Sequence, residues 1–127
     1  MAFFPFMIQM QDKLCVIGGG GKVAYRKVSM MLSFGARVTV IAPKICDELQ
    51  KIESKQDALL LVQRPFEDGD IEGADVVIMA TNDSEVNSHI AAICKDKRIL
   101  VNVVDGHIVH CISDPKRLFL PILHCQK

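Results

Sequence analysis

Four consecutive glycines occupy positions 18–21, between an apolar run, Leu14-Cys-Val-Ile17, and a run with helical spacing that begins Lys22-Val-Ala-Tyr-Arg-Lys27. A strand that turns through glycine into a helix leaves its backbone bare at the turn. The first N–H groups of that helix have no partner of their own. Such a junction suits a phosphate. It also sets the first β–α unit, with which the rest of the chain has to be compatible.

The remainder alternates in the same way. Residues 13–18 read as a buried strand. Helical spacing over residues 22–34 places Ala24, Val28, Met31 and Leu32 on one face and Lys22, Arg26, Ser29 and Ser33 on the other, and Gly35 ends the helix. Residues 37–41 form a second strand, and Pro43 fits the first turn of a short helix carrying Ile45, Leu49 and Ile52. A third strand is expected over 58–62, an acidic, turn-rich connector over 65–73 and an apolar fourth strand over 75–80. Asn82, with Glu85 three residues on, reads as the N-cap of a helix burying Val86, Ile90, Ile93 and Cys94. A fifth strand follows over 99–104.

Strands alternating with helices predict an α/β fold, a Rossmann-like doubly wound parallel sheet with helices on both faces. The strand order is then 3-2-1-4-5, with room for a sixth. Ligands of such sheets bind beyond the carboxyl ends of the strands, at the switch between the first and fourth. Positions 18–21, 81–83 and Asp105 are therefore expected around one crevice, although they lie far apart in the chain.

Bulk properties narrow the partners. A chain of 127 residues fits one domain with a modest core. Fifteen basic residues balance fifteen acidic ones, which argues against a nucleic-acid or membrane partner. The five cysteines are odd in number and contain no Cys-x-x-Cys pair, so they read as reduced thiols and not as a disulfide framework. The opening Phe3-Phe-Pro-Phe-Met-Ile8 lacks a basic flank and contains Pro5, and it reads as an arm or strand, not a signal peptide. No run approaches transmembrane length, and the expected location is cytoplasmic.

Two registers of a dinucleotide fingerprint compete in the glycine run. One puts Val23 at the third position, where close helix–strand packing wants Gly or Ala. The other, Gly19-x-Gly21-x-x-Ala24, satisfies that need. In this register Gly19 makes the tight turn, Gly21 admits the pyrophosphate and Ala24 packs on the strand. NAD is the expected cofactor. The acidic residue that usually follows the second strand to hold a ribose is missing, since that strand runs into Ala42-Pro43-Lys44. Lys44 reads as a solvated lysine before it reads as a contact for a 2′-phosphate.

Several segments together resemble one family. They are Gly19-Gly-Gly-Lys-Val-Ala-Tyr-Arg-Lys27, Gly35-Ala-Arg-Val-Thr-Val40, Ala42-Pro43, Ala80-Thr-Asn-Asp83 with Val86-Asn87, and Val101-Asn-Val-Val-Asp105. The set is similar to the precorrin-2 dehydrogenase / sirohydrochlorin ferrochelatase family, the N-terminal module of sirohaem synthases, and covers about residues 4–105. That family also lacks the acid after the second strand.

The resemblance implies NAD-dependent oxidation of precorrin-2, a tetrapyrrole, to sirohydrochlorin, with ferrous iron insertion in some members. It maps cofactor contacts to Lys22, Val23, Pro43 and Lys44 and the key aspartate to Asp105, and the strand-exit positions Gly19, Gly20, Gly21, Ala42, Thr81 and Asn82 complete the expected cofactor site. The substrate carries many carboxylates, so Arg26 and Lys27, with Lys116 and Arg117, are candidate substrate contacts. A homodimer is expected.

The likeness ends at Asp105. Residues 1–105 are read as an NAD-binding domain and 106–127 as a divergent tail, with the family's helical dimerisation region largely absent. His107, His110, Cys111, His124 and Cys125 match no strong zinc spacing, and no metal site is assigned. Two other readings stay open: a nucleotide-sensing regulatory module of the potassium-transport type, and a truncated NAD-binding fragment without activity.

Overall fold

Cys15, Val16 and Ile17 are all buried, although neighbouring residues of a strand point to opposite faces, so this strand is covered on both sides. The computed structural model describes residues 7–105 and 108–111, the backbone alone at 105 and 108–111. Residues 3–6 of the expected N-terminal arm or strand, and Lys116, Arg117 and the tail His107, His124 and Cys125, lie outside the described residues, whereas Met7 and Ile8 are described and form no strand.

The elements run β1 (Leu14–Gly18), α1 (Lys22–Ser33), β2 (Arg37–Ala42), α2 (Asp47–Glu53), β3 (Leu59–Gln63), a 3-10 turn (Asp68–Ile71), β4 (Val76–Met79), α3 (Ser84–Asp96), β5 (Leu100–Asp105) and β6 (Ile108–Cys111). The sheet order is β3-β2-β1-β4-β5-β6. The first five strands are parallel, as the alternation predicts. The sixth strand is antiparallel to β5. It starts three positions after β5 ends, and a link that short cannot carry a parallel crossover.

Helices cover both faces. Ala24 and Val28 of α1 and Leu49 of α2 pack with Cys15, Ile17, Val38 and Val40. On the other face Ile90, Ala91 and Cys94 of α3 pack with Val16, Val77, Met79, Val101 and Val103. Ile71, in the connector expected to be only a turn, is fully buried there. Burial pushes the Cys15 thiol up to about 12 and that of Cys94 to about 11, so both act as small apolar core residues. Cys15, Cys46 and Cys94 are free thiols.

Two local expectations are corrected. Pro43 does not open α2, which starts at Asp47 after an extended N-cap, Cys46. The Cys46 N–H donates to the Gly20 carbonyl at 2.8 Å, which draws the segment onto the glycine turn before the helix begins. The N-cap of α3 is Asp83 and not Asn82. Its carboxylate accepts the N–H groups of Glu85 at 3.0 Å and Val86 at 3.3 Å.

Among the described residues, no helix is long and apolar enough to cross a membrane.

Candidate functional site: the crevice at the strand exits

The glycine turn touches two other strand exits. Gly19 has φ +123°, and a Cβ there would stand 2.5 Å from the Ala80 carbonyl oxygen, just beyond β4. Its N–H donates to the Ile41 carbonyl of β2 at 3.1 Å, and the Ala80 N–H donates to the Gly18 carbonyl at 2.7 Å. A side chain on Gly20 would run into the Lys44 carbonyl and Ile45 Cα. Gly19 and Gly20 are therefore required by the protein's own backbone.

Gly21 is different. It is the N-cap of α1 with an extended backbone (φ −94°), and a Cβ there would meet nothing within 4 Å. No side chain caps α1, and its first turn holds no acidic residue. Open space thus faces uncapped N–H groups at the positive end of a twelve-residue helix. These features fit the pyrophosphate of a dinucleotide. Ala24, the third position of the chosen register, is fully buried against the sheet.

The other candidate residues divide by what they can offer. Val23 packs partly into the core and Ala42 is buried as the last residue of β2, so each offers backbone. Lys22, Pro43 and Lys44 are exposed around the turn. The Pro43 carbonyl is held by Gln63 Nε2 at 3.2 Å. Glu48 adds a negative charge near Lys22. Its carboxyl is held below the usual range first by a backbone N–H of α2, then by the Cys46 side chain, with weaker attraction from Lys22 and Lys51.

Thr81 and Asn82 form the turn after β4. The Asn82 side chain is exposed, whereas Thr81 is half-buried and bonded to Asn87. Asp105 closes β5, two residues past Val103, which pairs with the last residue of β4. Arg26 is exposed and Lys27 half-buried on α1.

The part that three residues near the crevice play escaped the sequence, although Asn87 stands in the Val86-Asn87 segment of the resemblance. Cys46 latches the β2 exit to Gly20, with its Sγ 3.9 Å from the Gly21 carbonyl. Phe66, in the connector after β3, packs beside Gly18 and Met79. Asn87 is buried at the base of the β4 exit turn. An isolated Cys in a loop and an Asn within a helix carry no periodic signal, and the acidic neighbours of Phe66 mask it.

Residues 6–112 match a family model described as "Putative NAD(P)-binding". A siroheme synthase of Thioalkalivibrio sulfidiphilus is 43% identical over 105 residues, covering 83% of this chain and 21% of the relative. One from Nitrosospira multiformis is 44% identical over 109 residues, covering 84% of this chain and 23% of the relative. The chain thus spans about a fifth of the length of these curated relatives. The solved structure of SirC, precorrin-2 dehydrogenase, superposes with a TM-score of 0.71 at 25% identity, over 89% of this chain and 62% of that one. A short-chain dehydrogenase/reductase from Veillonella parvula in complex with NADP shares the fold, with a TM-score of 0.56 at 16% identity over 73% of this chain and 46% of that one. The cofactor is of the NAD type. The chain belongs to this NAD(P)-binding family and, within it, to the precorrin-2 dehydrogenase group that its motifs resemble.

Proposed function

We propose that this chain oxidises precorrin-2 to sirohydrochlorin with NAD, as the dehydrogenase part of sirohaem synthesis in the cytoplasm. The observation that carries the reading is the start of α1: Gly21 is open and has no side-chain cap, and the first turn of the helix holds no acidic residue. Two of the relatives named above are siroheme synthases and SirC is a precorrin-2 dehydrogenase, which supports the substrate class.

The backbone at Gly19, Gly20 and Gly21 and the first turn of α1 at Lys22 and Val23 hold the pyrophosphate. The β2 exit at Ala42, Pro43 and Lys44 holds the rest of the cofactor together with the β4 exit, where Thr81 shapes the turn that presents Asn82. Lys44 and Lys22 leave the ribose end without an acidic partner, so its hydroxyls are met by backbone. NAD supplies the hydride acceptor when bound. Asp105 accepts the proton that leaves as the tetrapyrrole gains a double bond. Arg26 and Lys27 attract its carboxylates. Ferrous iron insertion by the same chain, and a homodimer, belong to the same reading.

The test is NADH formation from precorrin-2 at saturating NAD. Turnover by the parent chain is expected, and Asp105→Asn should lower it by about a hundred-fold or more, the usual scale of a lost general base, with NAD affinity unchanged. A parental rate in Asp105→Asn contradicts the assignment.

A further inference from the structure

Asn87 is the one polar side chain buried in the core among the described residues, at 1% exposure. It lies in the first turns of α3, between Val86 and Ile90, which face the core. An apolar residue there would carry no desolvation cost, whereas a buried amide must find partners. Both ends of this amide go to one residue. Nδ2 donates to the Thr81 carbonyl at 3.1 Å, and Oδ1 accepts the Thr81 hydroxyl proton at 2.5 Å. The Thr81 hydroxyl oxygen in turn accepts the Asp83 N–H at 3.2 Å.

A hydroxyl has one proton to give. Thr81 has two protein acceptors in reach, Asn87 Oδ1 at 2.5 Å and the Asp83 carbonyl at 3.1 Å, so its one proton is held by the protein and is not available to a ligand. Asn82, between the two bonded residues, is exposed and makes no hydrogen bond among the described residues. The turn is thus gripped from inside on either side of Asn82, and Asp83 secures its far end by capping α3.

We propose that Asn87 is a positioning residue for dinucleotide binding: it clamps the β4 exit turn through Thr81 so that Asn82, and not the Thr81 hydroxyl, meets the cofactor. The proposal rests on the nucleotide-binding reading above. It makes Thr81 part of the scaffold of the site.

The test is calorimetric titration of the full chain with NAD, alongside thermal unfolding, for the parent, Thr81→Val, Thr81→Ser, Asn87→Ala and the double variant Thr81→Val/Asn87→Ala. Thr81→Val and Asn87→Ala should each weaken NAD binding about ten-fold, the scale of one buried hydrogen bond. Thr81→Ser keeps the hydroxyl and should bind within about two-fold of the parent. The double variant should bind no more weakly than the worse single one, because the two residues act as a unit. Asn87→Ser takes the place of Asn87→Ala if the alanine variant does not fold. Additive losses would mean that Thr81 touches the cofactor itself, and a lowered melting temperature with parental NAD affinity would mean a structural role alone. Either result overturns the proposal. NAD binding absent from the parent would overturn the nucleotide reading and this one together.

Discussion

At Gly19 the backbone sits at φ +123°, and an added Cβ would stand 2.5 Å from the Ala80 carbonyl oxygen. Two positions on, Gly21 has an ordinary extended backbone and empty space around it. The first glycine is needed by the fold, and the second is not. Gly19→Ala should therefore lose about 2 kcal/mol or more of stability in urea unfolding, from backbone strain and a clash with main chain that cannot move aside. Gly21→Ala should stay within about 0.5 kcal/mol of the parent. The same Gly21→Ala change should weaken NAD binding about ten-fold or more, because its methyl group enters the space reserved for the pyrophosphate. The choice of register was legible in the sequence through Ala24, which is small where the helix meets the sheet. The separate duties of the glycines were not, because they depend on residues 80 and 44, brought in by other strands.

Elements were legible where periodicity was strong and less so where tertiary contacts set the ends. The buried face of α1 follows from apolar spacing, and the order of the five parallel strands from strand–helix alternation with right-handed crossovers. The start of α2 does not, because Pro43 is a good first-turn residue and nothing local reports that Gly20 pulls Cys46 into an extended conformation. Asn82 and Asp83 are both good caps, and only the structure distinguishes them. The connector between β3 and β4 reads in the sequence as acidic and turn-rich. It is organised by Arg64, whose guanidinium forks onto Asp70 at 2.8 and 2.5 Å, while Asp70 also accepts the Glu67 N–H at 2.7 Å. The Arg64 hydrogen bonds, more than any other cause, hold the Asp70 carboxyl below its ordinary value. A depressed folded value means that the pair's contribution is fully present above the unfolded carboxylate value of about 4 and is lost as pH falls through the folded one. Asp70→Asn should therefore lose about 1 kcal/mol at pH 7, a modest figure because Arg64 is partly open to water. The gap between variant and parent should close as urea unfolding is repeated towards pH 3.

On the scale of the whole molecule, a doubly wound sheet brings residues from four strand exits to one edge: the glycine turn after β1, residues 42–44 after β2, residues 81–82 after β4, and Asp105 at the end of β5. Fifteen basic and fifteen acidic residues leave the chain without a net charge to draw anions, so in the function proposed above recognition of a dinucleotide falls to local backbone donors. The missing acid at the β2 exit separates this edge from a generic NAD site, and in the function proposed above it leaves the ribose end to main chain. The central claim is that this crevice takes NAD. Calorimetric titration of the chain with NAD and, separately, with ATP tests it most directly. Saturable NAD binding, with ATP at least about ten-fold weaker, is the predicted result, since only the dinucleotide spans both the β2 and the β4 exits. Equal affinity for the two nucleotides, or no binding of NAD, would contradict it.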